Sequence, residues 1–202
     1  MSTATLQAHL GPADHGRELT YDEFLGGDYE EGHKYELIDG RLYVSPLARF
    51  QHDRVLQHVH QSLTFYKGLH PTAVQWISTK ARVFVPGRRK TTCPEPDFAL
   101  YQTCPTSDDL DWEDISPIIV VEVVSPGDPY KDYVRNVDLY QRVPSIREYW
   151  VFDRCGEANG PTLTVYHRES GRHRWKTADF GPEDVYSTKL LPGFKLPVCP
   201  PK

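Results

Sequence analysis

From Ile118 to Val124 the chain runs Ile-Ile-Val-Val-Glu-Val-Val, apolar and β-branched at every position but one. A run of this kind predicts a buried central strand over 117–124. Elsewhere the pattern changes period. Tyr35–Ile38 and Arg41–Val44 flank Asp39-Gly40, a strong local signal for a hairpin. Val55, Val59 and Leu63 recur at i, i+4 and i+8, with Leu56 and Tyr66 beside them, and predict a helix over 51–69 that Pro71 stops. Thr20 with Glu23 three residues later has the capping-box spacing and predicts a short helix through Leu25. Strands are expected over 73–77, 81–85 and 97–101, with a turn at Pro86-Gly87. Tyr133, Val137 and Tyr140 make the apolar stripe of a helix over 130–142, ended by Pro144. A strand over 148–153 and a hairpin from 162–167 and 174–177 complete the order. Helices interspersed among these strands predict an α/β (α+β) mixed sheet flanked by helices.

The 202 residues suit one domain, expected over 19–197, with a loose polar segment over 1–18 and a Pro-rich tail over 198–202. No segment approaches the roughly 20 apolar residues of a membrane span, and no secretory signal opens the chain. Cys93, Cys104, Cys155 and Cys199 form no CxxC pair, so reduced thiols in a cytoplasmic protein are expected and a zinc site is not. Net charge is −5, against a protein that coats nucleic acid by bulk charge. The charge is uneven. Lys80, Arg82, Arg88, Arg89 and Lys90 cluster before Asp97, Arg168, Arg172, Arg174 and Lys176 cluster later, and 108–114 is acidic. A local basic face can hold a phosphate backbone on an acidic protein, although a solvated hairpin accounts for either cluster equally well.

Glu122 carries the candidate chemistry. An ionised carboxylate in a buried strand is costly unless a cation or metal pairs with it. Asp97, 25 positions earlier, opens the strand expected over 97–101. Two carboxylates on neighbouring strands would hold a hard divalent cation, the skeleton of a metal-dependent phosphodiesterase. The plainer readings are a buried acid paired with an arginine for Glu122, a turn acid for Asp97 and a half-exposed strand residue for Glu36. His52, in the first turn of its helix, reads as bonded to backbone. His58 and His60 read as solvated, and Tyr140, Tyr149 and Trp150 as core. A Gly-x-Ser-x-Gly elbow and a phosphate-cradling glycine loop are both missing.

Tyr35-Glu36-Leu37-Ile38-Asp39-Gly40, Ser45-Pro46 and His52, followed by Pro96-Asp97, Val121-Glu122-Val123-Val124-Ser125-Pro126 and Pro144–Val151, resemble a large bacterial family of restriction-endonuclease-like proteins in the PD-(D/E)XK superfamily. The resemblance spans roughly Thr20 to Phe194. It implies a restriction-endonuclease-like core with both carboxylates on a central hairpin. It implies Asp97 and Glu122 as metal-binding and catalytic acids, Glu36 as a supporting acid and the Val123 carbonyl as a further ligand of Mg²⁺ or Mn²⁺. The superfamily's lysine would stand at Val124, or four residues before Tyr140, which is Asn136; it is absent from both. Lys131 and Lys80 are the candidate substitutes. The expectation is an endonuclease acting on DNA, with Lys80, Arg82, Arg88, Arg89 and Lys90 on the backbone and a homodimer by analogy. The alternative is a nuclease-fold protein that binds nucleic acid or a partner without cleaving.

Overall fold

The computed structural model describes residues 9–47, 50–104, 106–107, 110–124, 127–154, 160–169 and 174–201. Ser125, Pro126, Cys155, Arg172, the acids at 108 and 109, and residues 1–8 and 202 lie outside that set. The chain opens with β1 (His9–Leu10), α1 (Tyr21–Leu25) and β2 (Asp28–Tyr29). The hairpin β3 (His33–Ile38) and β4 (Arg41–Pro46) leads into the long helix α2 (Phe50–Leu69). Then come β5 (Trp76–Ser78), β6 (Phe98–Tyr101) and β7 (Ile119–Val123). A π-helical turn, Lys131–Arg135, runs into α3 (Asn136–Gln141). The strands β8 (Glu148–Asp153), β9 (Thr162–Arg168), β10 (Trp175–Phe180), β11 (Val185–Tyr186) and β12 (Leu196–Pro197) finish the fold.

Six strands form the central sheet in the order β10-β9-β8-β7-β6-β5, with β7 and β8 parallel and the other pairs antiparallel. The parallel pair needs a crossover, and the π turn with α3 supplies it. Alternation along β7 divides the core. Ile119, Val121 and Val123 join Val55, Val59, Leu63 and Tyr66 of α2 in one cluster. Val120 and Val124 join Leu139, Tyr140, Val143 and Tyr149 in another. Glu122 therefore faces the α3 side. The β3–β4 hairpin is a separate two-stranded sheet, and its outer face packs Tyr35, Leu37 and Leu42 against Leu10, Phe24 and Cys93.

Local signals are obeyed where they are strong. Thr20 accepts from the Glu23 amide while the Glu23 carboxylate accepts from the Thr20 amide. Asp39 and Gly40 both have positive φ, 52° and 69°, as a tight hairpin turn of this hand requires. Four expectations shift. The strand over 73–77 moves to Trp76–Ser78, because Ala73 and Val74 instead close the turn after α2 by donating to the His70 carbonyl. Residues 81–85 form no ladder strand. Val83 and Val85 donate to the Pro94 and Thr92 carbonyls, but Pro86, Pro94 and Pro96 have no N–H to continue the pairing. The segment expected to be loose before residue 19 is tied down from His9: β1 pairs with β2 and Leu10 is fully buried. Val198, placed in the tail, is likewise buried. No helix of the described residues is long and apolar enough to cross a membrane.

Candidate functional site: a charged centre between hairpin and sheet

Asp97 immediately precedes β6, and Phe98 pairs with Val121, so Asp97 and Glu122 meet across the β6–β7 hairpin. Each carboxylate is oriented by backbone. Asp97 Oδ2 accepts from the Val123 amide at 2.9 Å, and Glu122 Oε2 accepts from the Asp97 amide at 3.3 Å. Glu122 Oε1 accepts from Asn136 Nδ2 at 2.9 Å and from the Tyr140 hydroxyl at 3.3 Å, both on one face of α3. At 1% side-chain exposure Glu122 is buried, and its partners among the described residues do not include an arginine.

The second layer of charge comes from β3. The segment 91–95 runs beside that strand, with the Cys93 amide donating to the Leu37 carbonyl and the Glu95 amide donating to Glu36 Oε1 at 3.1 Å. This segment leads directly to Asp97 and so brings β3 against the sheet. Tyr35 and Leu37 face the N-terminal core, which leaves Lys34 and Glu36 on the opposite face, toward the two acids. Lys34 Nζ lies 3.3 Å from Asp97 Oδ1 and 4.0 Å from Glu122 Oε2. Glu36 Oε2 accepts from Arg135 Nη2 at 2.8 Å and lies 3.8 Å from Lys131 Nζ.

The π turn explains how one helix supplies so many groups. Five residues of α-helix rotate by about 500°, leaving position 136 about 140° away from position 131. Here the Asn136 amide donates to the Lys131 carbonyl, so the two positions stack one turn apart. Lys131 thereby joins Asn136 and Tyr140 at the centre, and Arg135 reaches Glu36. Wide turns of this kind recur at functional sites.

The electrostatics follow from burial and proximity. Burial disfavours charge on Asp97, but Lys34 and His52 outweigh it and hold that carboxyl far below its ordinary value. Burial also opposes the Lys34 ammonium, and attraction to Asp97, Glu122 and Glu36 more than restores it. Glu36, buried too, is drawn down to about 2 by Lys131, Arg135 and Lys34. Glu122 goes the other way: burial, with Asp97 and Glu36 nearby, raises it despite Lys131 and Lys34. Asp132, beside Asn136, is pushed up to about 8 by burial and by Glu122. The cluster sets the four acids Asp97, Glu122, Glu36 and Asp132 against Lys34, Lys131 and Arg135, and burial keeps Asp132 largely protonated near neutral pH.

A divalent cation is what the resemblance implies, and the donor set fits one. Asp97 Oδ1 and Glu122 Oε2 converge on the same ammonium, which marks a position where both oxygens face positive charge. Two hard carboxylates with waters are a usual arrangement for Mg²⁺. Among the described residues no three His, Cys, Asp or Glu side chains form a metal-holding group. The Val123 carbonyl accepts from His52 Nε2 at 2.8 Å, and the same nitrogen lies 3.4 Å from Asp97 Oδ2. His52 thus bonds to backbone, as expected, yet belongs to the site. Its Nδ1 is buried without a partner among the described residues.

The sequence candidates divide by place. Asp97, Glu122, Glu36, Asn136, Val123, His52 and Lys131 come together. Lys80 and Arg82 line a cleft of about 2200 Å³ that opens onto the acids, with Arg82 donating to Glu95 Oε1 at 2.7 Å. Arg88, Arg89 and Lys90 do not line it. Arg88 clasps Asp39 through two hydrogen bonds, Lys90 pairs with Glu18 at 2.9 Å, and Arg89 lies with both near the hairpin turn. Arg168 is structural, donating to the Gln141 and Val143 carbonyls at the end of α3. His58 and His60 are half-buried rather than solvated: one bonds the Pro197 carbonyl and the other stacks on Phe98. Tyr140, Tyr149 and Trp150 are fully buried in the core. Lys34 is not among the sequence candidates, although the period of 2 from Glu36 is the signal that finds it.

A family model described as "Uma2: Putative restriction endonuclease" matches residues 21–199. Among solved structures the chain is similar to one titled a putative nuclease belonging to DUF820 from Anabaena variabilis ATCC 29413. That match has a TM-score of 0.67 at 16% identity and covers 89% of this chain and 95% of the other. No curated protein matches the chain.

Proposed function

The chain belongs to the Uma2 family, and on that footing we propose that it is a divalent-metal-dependent endonuclease hydrolysing DNA phosphodiester bonds at Asp97 and Glu122. The observation that carries the reading is the convergence of these two carboxylates, oriented by the Val123 and Asp97 amides, at the floor of a cleft of about 2200 Å³. A bound Mg²⁺ or Mn²⁺ would supply a water of lowered pKa and charge stabilisation at the phosphate oxygens. Asp97 and Glu122 would hold the ion. Asn136 and Tyr140 keep Glu122 in position, and Arg135 and Lys131 neutralise Glu36 so that its charge does not repel an incoming phosphate.

The described lining of the cleft carries eight acidic side chains against five lysines and arginines, so a metal on the two acids would lessen, without abolishing, its repulsion of a polyanion. Lys80 and Arg82 would contact the backbone from the rim. The ground for a binding-only role is the absence of the superfamily's lysine from positions 124 and 136. Lys34, a cation within ion-pair distance of both acids, favours the enzyme reading. Cutting both strands of a duplex calls for two centres, so a homodimer goes with the proposal.

The test is cleavage of supercoiled plasmid and of single-stranded DNA with Mg²⁺ or Mn²⁺, beside Glu122→Ala purified identically. Metal-dependent cleavage lost in the variant supports the enzyme. Equal cleavage by both proteins, or none by either, refutes it.

A further inference from the structure

The two acids are not symmetrical in how their oxygens are used. Asp97 Oδ2 accepts from the Val123 amide and lies 3.4 Å from His52 Nε2, and Glu122 Oε1 accepts from Asn136 and Tyr140. Asp97 Oδ1 and Glu122 Oε2, the second of which also accepts from the Asp97 amide, both lie within ion-pair distance of Lys34 Nζ. These are the oxygens that a metal shared by the two carboxylates would use. A metal ion sits about 2.1 Å from its oxygen ligands, so it and an ammonium at 3.3 Å from one of those oxygens cannot occupy one position. Their like charges would also repel strongly in a buried setting.

We propose that Lys34 is the resident cation of the Asp97–Glu122 site and that divalent-metal binding displaces its ammonium toward the cleft. The claim rests on the reading of these two acids as the metal pair, and it adds competition between a tethered cation and a free one. The Lys34 side chain is 20% exposed, lines the cleft and hangs on a flexible stem. Its neighbour Glu36, by contrast, is fixed by Arg135 and the Glu95 amide. Lys131 is the comparison, since its ion-pair contact is with Glu36 at 3.8 Å while its charge reaches Glu122 only from beyond that distance.

Calorimetric titration with Mn²⁺ of the wild type, Lys34→Met and Lys131→Met tests the competition without reference to cleavage. Removing the competitor tightens Mn²⁺ binding by about tenfold or more in Lys34→Met, the scale of one close charge pair, and by clearly less in Lys131→Met. Binding in Lys34→Met no tighter than in wild type, or no tighter than in Lys131→Met, overturns the proposal. Should Lys34→Met fail to fold, wild-type acetylation decides. With acetic anhydride and mass spectrometry, Lys34 labels several-fold faster when Mn²⁺ is present while Lys131 does not, and an unchanged Lys34 rate overturns the idea. No Mn²⁺ binding by any of the proteins overturns this proposal and the metal reading together. Tightened binding without plasmid cleavage by the wild type refutes the nuclease alone.

Discussion

Replacing Glu36 by Gln keeps the shape of the side chain and an acceptor for the Glu95 amide while deleting the charge that faces Arg135 and Lys131. The magnitude follows from linkage. The Glu36 carboxyl is drawn from an ordinary 4.5 to about 2 in the folded protein, a gap equivalent to about 3 kcal/mol. A carboxyl depressed on folding stabilises fully above its unfolded value and loses that contribution as pH falls through the folded one. The contribution is therefore complete at pH 7, begins to fade near pH 5 and is gone near pH 2. Urea unfolding of wild type and Glu36→Gln over pH 2.5–7.5 is expected to show a difference of about 3 kcal/mol at neutral pH that shrinks steadily toward acid. A difference that stays constant with pH, or one under about 0.5 kcal/mol at pH 7, a surface-pair value, would refute the assignment of Glu36 as the charged anchor of the crossover helix.

Glu148 accepts from Trp150 Nε1, the Tyr186 hydroxyl and the Thr188 hydroxyl, so Glu148→Ala strands buried donors and is expected to cost about 3 kcal/mol. Hydrogen exchange should then accelerate at 185–198 before the rest of the sheet. Asn136→Leu leaves one oxygen of buried Glu122 short of a donor and is expected to cost about 1–3 kcal/mol in urea unfolding. The Cys93 thiol is fully buried and pushed up to about 12, chiefly by burial, so iodoacetamide at pH 8 should label it only in denaturant.

Elements with a local chemical cause are legible in the amino-acid sequence alone. The capping box at Thr20, the Asp39-Gly40 turn and the i, i+4, i+8 stripe of α2 each have a cause within a few residues of themselves. The two acids are legible for a related reason, because a charge inside a β-branched run conflicts with burial and asks for a partner. What escapes depends on tertiary pairing. Whether residues 81–85 become a ladder strand is decided by prolines on the opposing segment, not by their own β propensity. Leu10 is buried because β1 meets β2, which nothing in its polar neighbourhood announces. Lys34 escapes because the resemblance places the missing lysine on the helix, whereas alternation from Glu36 places a lysine on β3. The basic cluster misleads in part, since Arg88 and Lys90 serve the hairpin turn.

The wide turn before α3 bears on how relatives of this chain should be aligned. One extra residue per turn means that Lys131 stands nine positions before Tyr140 yet shares its face. In a relative whose helix is α throughout, the equivalent side chain stands about eight positions before the tyrosine. An alignment that forbids a gap inside a helix would pair Lys131 with a residue pointing elsewhere and score the cation as lost. Where one relative has the wide turn and another does not, a side chain changes its offset in the sequence while keeping its place in space, so a motif with fixed offsets misses one of the two.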